Sequence, residues 1–184
     1  MQSKPFRGKA AVLLAIAGEG ERQRLLLTKR SEQLALHRGE VAFPGGKWEP
    51  GDENLLATAL RESEEEVSLN PRDVTVIGDL PTSYTRGGIA VSSYVAQVPE
   101  QLQLEANPGE LDALFWVPLN FFSEDRRKRT DIFQYGEKEE WAPVYFYEDY
   151  KIWGFTARLI VELVNRYCGI EVGRANTAPE RAYL

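Results

Sequence analysis

Three glutamates at helical spacing are the residues of this sequence best suited to chemistry. Glu62, Glu65 and Glu66 stand at positions i, i+3 and i+4, so on a helix of about 3.6 residues per turn they share one face. Carboxylates this close repel each other unless a hard cation such as Mg²⁺ or Mn²⁺, which prefers oxygen ligands, holds them together. Arg61 can pair with an acidic neighbour and fix its rotamer. The alternative is an acidic helix face exposed to solvent.

A glycine pair upstream of the glutamates makes the pattern more specific than a run of charge. Gly45–Gly46 allows a tight backbone turn close to a ligand. Asp52 and Glu53 add acids near the start of the helix, where Asp52 is also a candidate N-cap. We interpret the glycine turn, the spaced acid and the R-E-x-x-E-E sequence as a divalent-metal centre, which could support hydrolysis because metal ions activate water and stabilise charge on leaving oxygens.

The elements that must position these residues alternate between strands and helices. Apolar periodicity predicts a helix that begins near Asp52 and ends before Asn70-Pro71, and a second helix over Phe155–Tyr167. The highly charged stretch Ser123–Glu140 is interpreted as a surface loop. Strands are expected at Ala10–Ala17, Leu25–Lys29, Val74–Leu80, Ile89–Val98 and Leu114–Val117. This order suggests a mixed sheet between helices.

Length and composition indicate one globular domain over residues 1–184, with residues 174–184 as a flexible tail. The net charge of -6 offers no basic surface for a long nucleic acid. No apolar run reaches the roughly 20 residues that span a bilayer, and the start does not resemble a signal peptide. The single cysteine, Cys168, fits a reducing compartment. We therefore expect a cytoplasmic protein that binds neither membrane nor nucleic acid.

The segment from Gly46 to Leu69 resembles the signature of the Nudix hydrolases. That signature is Gly, five residues, Glu, seven residues, Arg-Glu, an aliphatic residue, any residue, Glu-Glu, any residue, Gly and an aliphatic residue. Here Arg61-Glu62 and Glu65-Glu66 match it. One residue is inserted between Gly46 and Arg61, which leaves open whether Asp52 or Glu53 is the first acid. Ser63 and Ser68 stand where an aliphatic residue and a glycine are usual.

The resemblance implies an enzyme with an α/β fold, a Nudix-type α/β/α sandwich around a mixed β-sheet, that hydrolyses a nucleoside diphosphate linked to another group. It makes Glu62, Glu65 and Glu66 the ligands of Mg²⁺ or Mn²⁺. Glu65 and Glu66 are then also catalytic, with Arg61 as the residue that orients them. Glu110, in N-P-G-E-L-D, is a further candidate metal ligand or base; the alternative is an exposed acid in a turn.

The segment before the glycine turn resembles a motif of the coenzyme A diphosphatase branch. It begins L-L-T-K-R-S at Leu26, continues through His37, and ends F-P-G-G at Gly46. The resemblance implies a hydrolase that splits coenzyme A or its thioesters into adenosine 3′,5′-bisphosphate and 4′-phosphopantetheine or its acyl form. The candidate substrate-binding residues are Lys29, Arg30, His37, Gly45 and Gly46.

Several alternatives stay open at this point. Lys29 and Arg30 either contact phosphates, such as the 3′-phosphate of coenzyme A, or are ordinary charges at a strand end; His37 either binds substrate or caps its loop. Gly87 and Ser93 stand where the branch has serine and proline. This departure keeps open a hydrolase of ADP-ribose, NADH or another nucleoside diphosphate derivative.

A non-catalytic Nudix-fold nucleotide sensor is the alternative from another class. In each case the expected partner is a small-molecule nucleotide. Nudix proteins are often dimers, so a homodimer is an open expectation, and nothing in the sequence shows its interface.

Overall fold

The computed structural model describes residues 8–135 and 137–183. The chain forms two compact units, one ending at Trp116 and the other beginning at Val117. The expected single domain over 1–184 stays a prediction. The expectation that there is no signal peptide falls mostly on residues 1–7, which lie outside the described residues. None of the helices in the described part is long and apolar enough to cross a membrane.

The first unit is built on a seven-stranded mixed sheet. Its strands are β1 (Lys9–Ala17), β2 (Arg24–Arg30), β3 (Val41–Ala42), β4 (Gly45–Lys47), β5 (Thr75–Tyr84), β6 (Ala90–Val98) and β7 (Leu111–Pro118). Five of them lie in the order β3-β2-β1-β6-β5, while β4 pairs with β1 and β7 pairs with β2. The β1–β6 pair is parallel, whereas β2 and β4 each run antiparallel to β1. Short 3-10 turns occupy Gly20–Arg22 and Pro71–Asp73.

Helix α1 (Leu55–Val67) packs against β1 and β4. Its Ala59 and Val67 belong to one hydrophobic cluster with Ala11 and Leu13 of β1 and Leu26 of β2. All five side chains are fully buried, and burial of apolar area is the main force that holds such a helix on its sheet. The helix is thereby fixed across the strands that carry the glycine turn.

The N-cap of α1 is Asn54, and not Asp52 as expected. The side-chain oxygen of Asn54 accepts the backbone N–H of Ala57 at 2.9 Å, which satisfies one of the unpaired N–H groups in the first turn. Asp52 lies two residues upstream, and its carboxylate is engaged by other partners described below.

The C-terminus of α1 explains one departure from the Nudix signature. Ser68 is left-handed, with φ +58, and its N–H donates to the carbonyl of Glu64 at 3.0 Å. The N–H of Leu69 reaches the carbonyl of Ser63 at 3.4 Å. This arrangement commonly ends a helix at glycine, because a Cβ crowds the left-handed backbone.

We therefore expect Ser68→Gly to raise the free energy of unfolding by about 0.5–1 kcal/mol, since glycine adopts this conformation without strain. Urea denaturation measures the change. Ser68→Ala is the matched control, because it keeps the Cβ and should not stabilise the protein. A Ser68→Gly variant no more stable than Ser68→Ala would contradict the strain assigned to this cap.

The second unit has a four-stranded sheet and one helix. Its elements are a 3-10 turn (Leu119–Phe122), β8 (Arg129–Tyr135), β9 (Lys138–Tyr147), β10 (Tyr150–Ile152), α2 (Gly154–Tyr167) and β11 (Glu180–Tyr183). The strand order is β10-β9-β8-β11, and α2 packs on β9. The stretch Ser123–Glu140, expected to be a loop, contains β8, where Thr130, Asp131 and Ile132 are buried. The buried Asp131 is paired with Arg129 at 2.5 Å, so charge here does not indicate a solvated loop.

The C-terminal segment is part of this sheet, in contrast to the flexible tail expected over 174–184. Strand β11 pairs in parallel with β8. The buried guanidinium of Arg127 donates to the backbone carbonyls of Gly173 and Arg174 at 2.6 and 3.4 Å. Order in this polar segment comes from backbone pairing and a buried arginine, which apolar periodicity does not report.

The predicted α/β class with a mixed sheet is confirmed. Parallel and antiparallel pairs occur in both sheets, and each unit packs one helix on its own sheet. The sequence pattern did not separate the second sheet from the first, because strand signals do not report which strands pair with each other.

Candidate active site

The β1–β4 pair brings the backbone of Gly45 to the acidic helix. Gly45 and Gly46 pair with Val12 and Ala11. A Cβ on Gly45 would lie 2.3 Å from the carbonyl oxygen of Ala11, and its φ of +153 also favours glycine. This close approach lets the N–H of Gly45 donate to Oε2 of Glu66 at 3.0 Å. The glycine turn and the acidic helix are therefore directly hydrogen-bonded.

Glu66 is the most buried of the acidic residues on α1, with 3% of its surface exposed. Burial is the main cause that raises the pKa of its carboxyl to about 7, and the charges of Glu62 and Glu110 contribute to this rise. The Gly45 N–H and the charge of Arg30 act in the opposite direction. The negative charge of this buried carboxylate is only partly offset by the Gly45 N–H and by Arg30. Such a carboxylate favours a nearby cation.

Glu62 lies one turn before Glu66, over the second glycine. A Cβ on Gly46 would lie 2.4 Å from the carboxyl carbon of Glu62, so glycine at this position makes room for the carboxylate. Burial raises the pKa of Glu62, and neighbouring Glu65 and Glu110 contribute, whereas Arg61 opposes the shift. The two glycines thus serve one glutamate each: Gly45 donates to Glu66, and Gly46 leaves space for Glu62.

Asp52 anchors Arg61 through a two-pronged ion pair. Arg61 Nε lies 2.8 Å from Asp52 Oδ1, and its Nη2 lies 2.9 Å from Oδ2. Asp52 also accepts the hydroxyl of Thr58 at 2.9 Å and the N–H of Glu49 at 3.0 Å. The Arg61 hydrogen bonds, with help from these donors, hold the pKa of Asp52 far below its usual range.

The same guanidinium connects Asp52 to the glutamates. Arg61 Nη1 donates to Glu62 Oε1 at 2.9 Å and lies 3.4 Å from Glu65. Glu53 is exposed, and the hydrogen bonds of Arg61 go to Asp52, the glutamates and the carbonyl of Lys47. We therefore assign Asp52, and not Glu53, as the acid that positions Arg61.

The glutamates of α1 differ in exposure, although the sequence places them on one face. The side chains of Glu66 and Glu62 are 4% and 15% exposed, whereas that of Glu65 is 53% exposed. Glu110 accepts from Asn107 Nδ2 at 3.5 Å, and its charge raises the pKa of both Glu62 and Glu66. The carboxyl groups of Glu62, Glu66 and Glu110 therefore lie close enough for their charges to interact. Glu65 lies on the solvent-exposed side of this group.

Within residues 8–135 and 137–183, no three His, Cys, Asp or Glu side chains form a preassembled metal-binding group. Glu62 is engaged by Arg61, and Glu66 is engaged by Gly45. The residues nevertheless fit a divalent cation, because carboxylate oxygens suit Mg²⁺ and Mn²⁺ and the charge of the buried Glu66 is only partly offset by Arg30, whose Nη1 lies 3.8 Å from Glu66 Oε1. A site that includes Glu65 requires rotation of its half-exposed side chain.

The structure separates the candidate substrate-binding residues. Arg30 Nη1 lies 3.8 Å from Glu66 Oε1, so this residue reaches the acidic helix. Lys29 pairs instead with Glu32 at 3.3 Å. His37, with 70% of its side chain exposed, has Nδ1 at 3.0 Å from Glu40 Oε2, which is the loop contact expected if His37 caps its own loop.

Sequence reasoning missed two residues that support the site. Thr58, buried on α1, holds the carboxylate of Asp52. Ser31 donates its N–H to the carbonyl of Glu110 at 2.8 Å, which ties the loop after β2 to the segment that carries the fourth acid. A threonine on an acidic helix is a weak signal in the sequence, and the Ser31–Glu110 contact has no local sequence signal.

The raised pKa of Glu66 predicts an unusual pH dependence for the metal-free protein. Its pKa is about 7 in the folded protein, against 4.5 for a glutamate exposed to water. The folded state therefore binds this proton more tightly, so the stabilisation is complete below about pH 4.5 and is lost as pH rises through about 7. We expect wild type to lose roughly 3 kcal/mol of unfolding free energy from this group between about pH 5 and pH 8.

Denaturation in a chelating buffer measures this loss as the difference between wild type and Glu66→Gln, which has no carboxyl to titrate. Parallel pH profiles for the two proteins would contradict the raised pKa.

Comparison with known proteins agrees with the geometry. The NUDIX domain model matches residues 7–137. The chain is 40% identical over 158 residues to the uncharacterized Nudix hydrolase NudL of Photorhabdus laumondii, covering 85% of this chain and 83% of that protein.

Two solved structures are similar. The Nudix hydrolase RenU from M. smegmatis has a TM-score of 0.54 at 26% identity, over 64% of this chain and 74% of that chain. A MutT/nudix family protein from Enterococcus faecalis has a TM-score of 0.59 at 16% identity, over 92% of this chain and 65% of that chain, which supports the fold alone.

The family match accounts for both the expected enzyme class and the acidic helix, since Nudix hydrolases generally use divalent metal ions. The relatives that carry the match are themselves Nudix hydrolases. This chain belongs to the Nudix hydrolase family.

Proposed function

We propose that the protein is a metal-dependent hydrolase of the diphosphate bond in coenzyme A or its thioesters. The products are adenosine 3′,5′-bisphosphate and 4′-phosphopantetheine or its acyl form. One observation carries the proposal: the segment resembling the coenzyme A diphosphatase motif reaches the same glutamate of the acidic helix from two places along its length. Arg30, from the start of that segment, and Gly45, from its end, both approach Glu66.

The acidic helix supplies the proposed metal site. Glu62, Glu65 and Glu66 would hold Mg²⁺ or Mn²⁺, which neutralises diphosphate charge and lowers the pKa of bound water. The Gly45 N–H orients Glu66, and Arg61 orients Glu62. These contacts fix the carboxylates of Glu62 and Glu66 before substrate arrives, which lowers the reorganisation that these two residues need during reaction.

Glu110 is the proposed additional ligand or general base. Its carboxyl group is electrostatically coupled to Glu62 and Glu66, and its backbone is fixed by hydrogen bonds with Ser31 and Asn107. Because it lies on a different segment from α1, it can face the reacting phosphorus from another side. Glu65, which is half-exposed, is the other carboxylate proposed to act on water.

The loop after β2 is proposed to contact the rest of the nucleotide. Lys29 lies at the end of β2 and His37 lies on the exposed part of the loop. Both pair with glutamates of the same loop, Glu32 and Glu40, so each must exchange an internal partner for substrate.

An alternative function is hydrolysis of ADP-ribose, NADH or another nucleoside diphosphate derivative. Ser93 favours it, because this residue stands where the coenzyme A branch has proline. Ser93 lies inside β6 and pairs with Val12 of β1 and Leu80 of β5. A proline inside a strand paired on both sides would remove a backbone donor, which Ser93 retains at this position.

A substrate panel with Mg²⁺ or Mn²⁺ tests the proposal. It compares coenzyme A, acetyl-coenzyme A, dephospho-coenzyme A, NADH and ADP-ribose by initial rate, and product analysis in oxygen-18 water identifies the attacked phosphorus. We expect the largest kcat/KM for coenzyme A or its thioester. Much faster cleavage of dephospho-coenzyme A, NADH or ADP-ribose would reject coenzyme A as the substrate and favour the alternative.

A further inference from the structure

We infer that Arg30 binds the diphosphate itself at the reaction centre, and that the adjacent Lys29 does not. The sequence alone does not show which of these two adjacent basic residues would bind a phosphate. The inference rests on the proposed diphosphate hydrolysis, but it does not require coenzyme A to be the substrate.

Strand alternation separates the two side chains. Successive residues of a strand point to opposite faces of the sheet, so Arg30 of β2 shares a face with Leu26. Leu26 is packed in the cluster that contains Ala59 and Val67 of α1, which identifies this face as the one covered by the acidic helix. Lys29 points to the other face and pairs with Glu32. Only Arg30 of the pair is directed towards the glutamates.

The backbone of Arg30 is fixed, while its guanidinium keeps donors available. Its N–H donates to the carbonyl of Glu40 at 2.9 Å, and its carbonyl accepts from Gly39 at 3.0 Å. Nη1 lies 3.8 Å from Glu66 Oε1, which is beyond hydrogen-bond length. Nε is buried and has no hydrogen-bond partner in the part of the chain that the structure describes. A buried donor without a partner is costly, and an anion with several oxygens satisfies it best.

A diphosphate is the anion that this position selects. A divalent cation held at Glu66 would supply positive charge for the diphosphate, and the guanidinium of Arg30 already lies beside Glu66, where it could contact the same diphosphate. The planar fork of arginine matches two phosphate oxygens at once. The 3′-phosphate of coenzyme A lies across the ribose from the diphosphate, so one residue at the metal centre does not bind both groups.

The test compares Arg30→Met and Arg30→Lys with wild type on coenzyme A, dephospho-coenzyme A and ADP-ribose at saturating Mn²⁺. We expect Arg30→Met to lower kcat/KM about 100-fold on every substrate that wild type cleaves. The ratio between coenzyme A and dephospho-coenzyme A should change less than about threefold. Arg30→Lys should lose about tenfold, because lysine keeps the charge without the fork. Arg22→Met, at an exposed arginine paired with Glu100, is the matched control and should stay within about twofold.

Binding of α,β-methylene-ADP with Mn²⁺, measured by calorimetry, provides a readout independent of turnover. We expect its Kd to rise at least about tenfold in Arg30→Met, with the Kd for Mn²⁺ alone changing less than about threefold. If Arg30→Met does not fold, as judged by thermal unfolding, Arg30→Lys carries the same comparison.

Three outcomes would overturn the inference. They are a loss confined to coenzyme A, which would assign Arg30 to the 3′-phosphate; unchanged kcat/KM and diphosphate affinity; and full recovery at higher Mn²⁺, which would mean that Arg30 acts through Glu66. A wild type that cleaves ADP-ribose and not coenzyme A would reject the proposed substrate, while the Arg30 comparison would still be decided on ADP-ribose.

Discussion

Glu66→Gln should lower kcat/KM for diphosphate hydrolysis by at least about 1000-fold with the fold retained. Glutamine keeps the volume of the side chain and an oxygen that can accept the N–H of Gly45, now at 3.0 Å from Glu66. It removes the negative charge, which a divalent cation requires from a buried ligand. Initial rates at saturating Mn²⁺ measure the loss, and calorimetry should show weaker Mn²⁺ binding.

Glu64→Gln is the matched control for this change. Glu64 lies on the same helix and is exposed, so the same chemical substitution there should leave kcat/KM within about twofold. Glu65→Gln is expected to behave like Glu66→Gln, because Glu65 is the proposed third ligand. If Glu66→Gln kept more than a tenth of wild-type activity, or Glu64→Gln lost as much, the assignment of the metal ligands would be wrong.

The exposures of the three glutamates show which part of the site helical periodicity can predict. Each residue of a helix turns by about 100°, which places Glu66 about 20° from Ala59 around the axis, Glu62 about 60° away and Glu65 about 120° away. Their side-chain exposures of 4%, 15% and 53% follow this order. The sequence predicts the relative angles, but only packing reveals that Ala59 marks the direction of the sheet.

Helical periodicity cannot assign the helix cap and the partner of Arg61 among the residues before α1. Asp52, Glu53 and Asn54 are adjacent, and each has a carbonyl or carboxylate oxygen that can cap a helix or bind an arginine. The structure assigns the cap to Asn54 and the arginine to Asp52. That division depends on the path of the loop after Trp48, which is fixed by contacts such as the Asp52–Thr58 hydrogen bond.

Long-range polar contacts account for the other differences. The C-terminal strand β11 is polar and short, and it is ordered by pairing with β8. The buried Arg127 and the paired Asp131 are charged residues that a sequence reading assigns to the surface. The opposite directions of Lys29 and Arg30 follow from strand alternation, but the strand predicted at Leu25–Lys29 ends one residue before Arg30, and only the structure shows that β2 continues through Arg30.

The second large effect is expected at Asp52. Asp52→Asn should lower kcat/KM about 100-fold, because asparagine keeps the shape of the side chain but cannot accept both prongs of Arg61 as an anion. Arg61 Nη1 already lies 2.9 Å from Glu62 and 3.4 Å from Glu65. Without the Asp52 charge, the guanidinium should pair more strongly with these proposed ligands and compete with the cation.

This explanation predicts a specific signature. Mn²⁺ affinity should fall in Asp52→Asn, and raising Mn²⁺ should recover part of the activity. Glu53→Gln is the matched control and should stay within about twofold, since Glu53 is exposed; a larger loss there would make Glu53 the first acid of the signature.

Combining Asp52→Asn with Arg61→Met should cost no more activity than Arg61→Met alone, because residues that act as one unit are not additive. Additive losses would mean that Asp52 supports the site independently of Arg61. Non-additive losses would show that Asp52 acts through Arg61. Asp52 would then affect the glutamates by preventing Arg61 from pairing with them in place of the cation.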